Sequence, residues 1–98
     1  MAQVIYTDEA LADLERLFEF IADSDPAAAV EAVQAIREAI EILDRHPLVG
    51  RPVEYGLREL VISYGKRGYM ALYDFIEADD AVLVLALRHQ REARYPRQ

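Results

Sequence analysis

Leu57-Arg58-Glu59-Leu60-Val61-Ile62-Ser63-Tyr64, then Gly65-Lys66-Arg67-Gly68, then Tyr69-Met70-Ala71-Leu72-Tyr73-Asp74-Phe75-Ile76-Glu77 decide the fold, together with Val82 to Arg88 beyond the Asp79-Asp80 turn. Upstream, apolar residues recur at steps of three and four. Within this stretch that period is lost, and β-branched and aromatic residues come in runs. A glycine-bounded loop at 65–68 folds the first two strands into a hairpin, and the paired acids turn the second into the third. The three strands are therefore antiparallel neighbours. The last of them, Val82 to Arg88, is apolar on both faces, as a central strand covered on at least one side would be.

Before the strands, residues 48–56 hold Gly50, Pro52 and Gly56 and read as loop. Ahead of the loop, Ala29, Val33, Ile36, Ile40 and Leu43 form one apolar stripe, with Ile42 beside it. Asp25 suits the N-cap of that helix and Pro26 its first position, where a missing N–H costs nothing. His46-Pro47 ends it, because a residue before proline is pushed out of the α region. An earlier stripe, Leu11, Leu14, Leu17, Phe18 and Ile21, marks a helix of about four turns capped by Thr7 or Asp8. The short joint at Ser24-Asp25-Pro26 makes the helices an antiparallel hairpin. Gln3 to Tyr6 is a β-prone run, placed at a sheet edge. The order is β-α-α-β-β-β: an α+β, two-layer fold with a helical hairpin packed on a mainly antiparallel sheet, one domain over 1–98.

At 53% apolar residues the chain is composed to fold rather than to stay disordered. It has no cysteine, which removes disulfides, thiolate metal sites and a cysteine nucleophile. Its longest apolar run, Ala81 to Leu87, is far short of the ~20 residues of a membrane span. The N-terminus lacks the pattern of a signal peptide, so a soluble cytoplasmic protein is expected, with no membrane partner. Carboxylates such as Glu15/Glu19 and Glu38/Glu41 fall at helical spacing, but no histidine accompanies them and an acidic solvated face is the expectation. There is no phosphate loop, dinucleotide fingerprint or nucleophile elbow, so no cofactor is expected.

Charge is distributed unevenly. Residues 1–50 hold three Lys/Arg against eleven Asp/Glu, whereas residues 51–98 hold eight against seven. The overall −7 argues against non-specific nucleic-acid binding, and sequence-specific DNA binding is not expected. The last eleven residues carry Arg88, Arg91, Arg94 and Arg97 against Glu92 alone, with His89 and Tyr95 among them. Guanidinium groups hold phosphates and carboxylates, histidine shuttles protons near neutrality, and tyrosine can orient or donate a proton. The same composition also suits a solvated terminal segment. Lys66-Arg67 reads as a solvated hairpin tip, and His46 as a partner of the last helical carbonyls. Tyr6, Tyr64, Tyr69 and Tyr73 read as sheet and core-edge aromatics.

Several weak motifs in order give the chain a family likeness. They are Ala10-Leu11-Ala12-Asp13-Leu14, His46-Pro47 with Gly50-Arg51-Pro52, Leu57 to Ile62, Gly68-Tyr69 to Tyr73, and Leu85-Ala86-Leu87-Arg88-His89-Gln90-Arg91-Glu92. Together they resemble the RelE/ParE superfamily, the toxins of bacterial type II toxin–antitoxin modules, also called plasmid-stabilisation proteins. The resemblance implies a growth inhibitor neutralised by a cognate antitoxin. RelE-like members cut mRNA on the ribosome; ParE-like members poison DNA gyrase without hydrolytic chemistry of their own.

The nucleases place an arginine just after the Gly-Tyr that opens the middle strand, and here that position is Met70. Their tail residues have candidate matches in Arg91, His89 and Tyr95, the catalytic set if the chain is an endoribonuclease acting on the ribosome with mRNA. A missing donor to developing phosphorane charge typically costs ~10²–10³-fold in rate. The acidic composition and Met70 favour the ParE-like side. Arg58, Arg88, Arg91 and Arg94 are then the candidate target-binding residues. Exposed apolar groups near Leu17, Phe18 and Phe20 are the expected antitoxin site. A non-toxic member acting only as an interaction module is the third possibility.

Overall fold

The computed structural model describes residues 1–92, 94 and 95. Strand β1 (Gln3–Tyr6) leads into helices α1 (Asp8–Ala22) and α2 (Pro26–Glu41). A 3₁₀ turn (Ile42–Asp44) and a two-residue strand β2 (Arg51–Pro52) follow, then β3 (Arg58–Tyr64), β4 (Arg67–Ile76) and β5 (Ala81–His89). The sheet order is β1-β5-β4-β3-β2, with β1 parallel to β5 and every other pair antiparallel. The expected edge position of β1 and the two hairpin connections are as observed. Two details differ from the sequence reading. The α-helical part of α2 stops at Glu41, so Leu43 is buried from the 3₁₀ turn and Ile42 is exposed. The 48–56 loop contributes β2, a fifth strand too short to carry a sequence pattern.

Helix starts are fixed by side chains. Thr7 accepts a hydrogen bond from the Ala10 amide at 3.1 Å, and its hydroxyl donates to the Val84 carbonyl at 2.9 Å, so one residue caps α1 and ties it to β5. Asp25 accepts from the Ala28 amide at 3.1 Å and caps α2. The helices bury Ala10, Leu14, Leu17, Ile21, Ala29, Ala32, Ile36 and Ile40 against Ile62, Tyr69, Ala71, Tyr73, Val82, Val84 and Leu87 of the sheet. Strand alternation sends Glu59, Val61, Met70, Leu72, Ala86 and Arg88 to the opposite face. A bulge places Leu85 between the Leu72–Ala86 and Tyr73–Val84 pairs, which keeps Leu87, Val84 and Val82 all on the helix side.

Two tyrosines expected at the core edge, Tyr69 and Tyr73, are fully inside the core. The Tyr73 hydroxyl donates to the Pro47 carbonyl at 2.8 Å and accepts from the Gly50 amide at 2.9 Å. A Cβ on Gly50 would lie 2.6 Å from that ring, so the loop passes only because residue 50 has none.

β1 covers β5 only from Ala81 to Val84. Beyond it, side chains take over the ladder. The Leu87 amide donates to Asp13 at 2.9 Å, the Leu87 carbonyl accepts from Arg16 at 3.2 Å, and the His89 amide donates to Glu92 at 2.8 Å. Asp13 thereby sits buried in α1 with its acceptor used.

Candidate functional site

The residues after β5 fold back against the protein. The Gln90 amide donates to the Gly68 carbonyl at 2.9 Å and the Glu92 amide to the His89 carbonyl at 2.9 Å. Arg16 of α1 holds both carboxylate oxygens of Glu92, at 3.1 and 3.0 Å. Tyr95, 9% exposed, donates to Glu59 at 2.7 Å on the sheet face away from the helices.

Glu59 is the hub of that face. It is 6% exposed and also accepts from Arg51, and the Arg88 guanidinium stands 3.9 Å from its second oxygen. Arg88 in turn lies 5.2 Å from the centre of the Tyr95 ring and donates to the Glu92 carbonyl at 2.6 Å. Burial alone would raise the Glu59 carboxyl. The hydrogen bonds from Tyr95 and Arg51 and the charges of Arg51 and Arg88 outweigh it and hold the group below its ordinary value. Burial, then the hydrogen bond to Glu59 and its charge, push the Tyr95 phenol up, against the opposing pull of Arg88.

His89 belongs to the other face. It pairs with Tyr69 across the strands, and the two rings meet edge-on at 5.3 Å. Its Nδ1 accepts the Arg91 amide proton at 3.0 Å, which leaves the neutral ring's proton on Nε2. Burial, then the charges of Arg91 and Arg67, hold His89 below its ordinary value despite Glu92. A neutral imidazole with its acceptor nitrogen occupied is a hydrogen-bond donor rather than a base.

The expected catalytic trio is therefore not assembled. Successive strand positions put Arg88 and His89 on opposite faces, Tyr95 goes with Arg88, and its phenol is committed to Glu59. Of the expected target-binding arginines, Arg88 is mostly buried among its partners, and Arg58 donates to the Leu48 and Gly50 carbonyls at 3.0 and 2.8 Å, clasping the loop. Arg91 and Arg94 are exposed. Arg67, read from sequence as a plain hairpin tip, joins Arg91 in acting on His89. Arg97 lies outside the described residues.

The expected antitoxin patch is split as well. At about 100° per residue, Leu17, Phe18 and Phe20 point in three directions from α1. Leu17 is 3% exposed and belongs to the core; Phe20 is 76% exposed on the flank shared with Arg16. Phe18 turns the other way, into a groove between the helices. Two adjoining hollows of about 470 and 250 Å³ share Phe18 and Val33 and extend to Leu11, Glu15, Val30 and Arg37. Leu11, read from sequence as core, is partly exposed on this groove. Among the described residues no group of His, Cys, Asp or Glu could hold a metal, and no helix is long and apolar enough to cross a membrane.

Comparison with known proteins gives a consistent family. Residues 4–94 match the family described as the ParE toxin of the type II toxin–antitoxin system parDE. Toxin RelE3 of Caulobacter vibrioides is 33% identical over 94 residues, covering 96% of this chain and all of that protein. Toxin RelE2 of the same organism is 35% identical over 91 residues, covering 91% and 96%. The solved chromosomal ParDE system from P. aeruginosa shares the fold, with a TM-score of 0.74 at 24% identity over 91% of this chain and 96% of that one. A chain of the toxin–antitoxin complex RelBE2 from Mycobacterium tuberculosis superposes with a TM-score of 0.60 at 26% identity, over 91% and 98%.

Proposed function

The chain belongs to the ParE toxin family of type II toxin–antitoxin systems, within the RelE/ParE superfamily, and from that premise we propose that it arrests growth by binding DNA gyrase through its C-terminal surface. The observation that carries this reading is the separation of His89 and Tyr95 onto opposite sheet faces, with the Tyr95 phenol held by Glu59. RNA cleavage needs a base, an acid and cations converging on one phosphate. Here the base candidate has its acceptor nitrogen filled, and Met70 stands where the nucleases keep an arginine. What the surface offers is Arg91 and Arg94, suited to grip an acidic protein partner.

A cognate antitoxin is the second partner. The groove between α1 and α2, floored by Leu14, Phe18 and Val33, has the shape and composition for an amphipathic helix, with Glu15, Arg37 and Glu38 at its rims. The M. tuberculosis relative was solved as a toxin–antitoxin complex.

A ribosome-dependent endoribonuclease is the second reading, favoured by the RelE names of the Caulobacter relatives. Titrating purified toxin into a gyrase supercoiling assay separates the two. Loss of supercoiling, restored by antitoxin, is expected. Normal supercoiling at saturating toxin, with A-site cuts in a toeprint of translating ribosomes, would transfer the protein to the second reading. Unchanged growth on induction would leave only an interaction module.

A further inference from the structure

We propose that Glu59 positions the C-terminal segment for target binding, acting as the catch into which Tyr95 closes. This rests on the reading of that segment as the target surface. The segment is fastened at two places. Glu92 is held by Arg16 and by the His89 amide, and Tyr95 is held three residues later by Glu59. The two exposed arginines stand around these fixed points, Arg91 just before the first and Arg94 between the two. A cation on a freely moving terminus loses conformational entropy when it is ordered at an interface; one on a fastened segment has already lost part of it.

The burial of Glu59 supports a dedicated role. A carboxylate on the face of a sheet that no helix covers is ordinarily solvated. Glu59 is enclosed because three separate stretches of chain converge on it: Arg51 from β2, Arg88 from β5 and Tyr95 from the tail. The partners are matched in kind. Arg51 donates to one carboxylate oxygen and the phenol to the other, while the Arg88 guanidinium adds its charge at 3.9 Å and stacks on the phenol it helps to seat. Glu59 touches no target in this scheme. It acts through Tyr95 and is a positioning residue.

The test uses the full chain with Tyr95→Phe, Glu59→Gln and the double variant. Each is screened first by thermal melting and by antitoxin affinity, which reads the opposite side of the molecule. Amide exchange at Gln90 and Glu92 reports tail order; growth arrest on induction reports function whatever the target is. Losing one hydrogen bond to a charged group predicts roughly tenfold faster exchange and roughly tenfold weaker arrest potency in each single variant. The double variant is expected to be no worse for tail order than the more severe single, because the Tyr95–Glu59 hydrogen bond is the contact with the tail that both remove. Should the tail loosen while potency holds, or the tail stay ordered in both variants, the positioning role is wrong. Arg91→Ala with Arg94→Ala is the control for the surface itself. If that pair arrests growth normally, the target reading fails first and the positioning role falls with it. Tyr95 acting as a proton donor would instead leave Glu59→Gln with an ordered tail and make Tyr95→Phe alone severe.

Discussion

The ring of His89 illustrates how neighbours decide the chemistry of one residue. Its Nδ1 is filled by the Arg91 amide, and burial with two nearby arginines holds its pKa below the ordinary ~6.5. As pH falls, the unfolded chain therefore takes up this proton before the folded one does. The contribution to stability is complete above about 6.5 and is lost as pH falls through the folded value. Glu59, also depressed, acts in the same direction at lower pH, below the ordinary carboxyl range near ~4.3. Urea denaturation is expected to show midpoints that decline as pH falls below about 6.5, and the part of the decline just below that pH should shrink in His89→Gln. An identical decline in that variant would mean that other groups carry it. None of this chemistry is legible in the sequence. His89 and Tyr95 stand six positions apart in one basic tail, and only the strand's alternation and the fold-back show that they part company. Nothing in the strand marks Glu59 out, because its partners come from 8, 29 and 36 positions away. Gly50 is the intermediate case: its place in a loop is evident, but its reason, the Tyr73 ring, is not.

At the scale of elements, helix α1 has three working faces. One faces the core, one lines the groove through Leu11 and Phe18, and one carries Arg16 and Phe20 beside the tail. The apolar period showed the helix and most of its core face, since burial against a sheet is what produces that period. It could not separate Leu11 and Phe18 from the core set, because an apolar groove repeats with the same period as a core. The two flanks make separable predictions. Phe18→Asp is expected to weaken antitoxin binding by 100-fold or more, the range for removing a central apolar anchor, whereas Phe20→Asp should leave it within a few-fold. Calorimetry on both variants checks this, and equal losses would place the antitoxin across both flanks. The sheet was legible in its three long strands and unreadable in β2, whose two residues include a proline.

Across the whole molecule, charge is divided between an acidic N-terminal half and a cationic C-terminal end. The helical half is strongly negative, while the fastened tail and the 65–68 tip present Arg67, Arg91 and Arg94. Such a charge separation orients an approaching acidic partner and is screened within ~8 Å at physiological salt. If gyrase is the target, as proposed, its association followed by stopped flow is expected to slow several-fold between about 50 and 300 mM salt while dissociation changes little. A salt-independent on-rate would mean that the cationic end does not make first contact. The sheet's perimeter has a consequence of another kind. One rim is the four-residue β1, with the stretch of β5 beyond it closed by Asp13, Arg16 and Glu92. At the other rim β2 covers β3 only at Arg58 and Glu59, and among the described residues no strand lies beyond Leu60 to Tyr64. A stray polypeptide finds almost no ladder to extend along the β1–β5 border, and the ladder it could extend is the outer edge of β3, where Val61 is exposed. A toxin released from its inhibitor in a crowded cell is thus guarded against fibril seeding along one border by that border's shortness and side chains, and meets the hazard along the other.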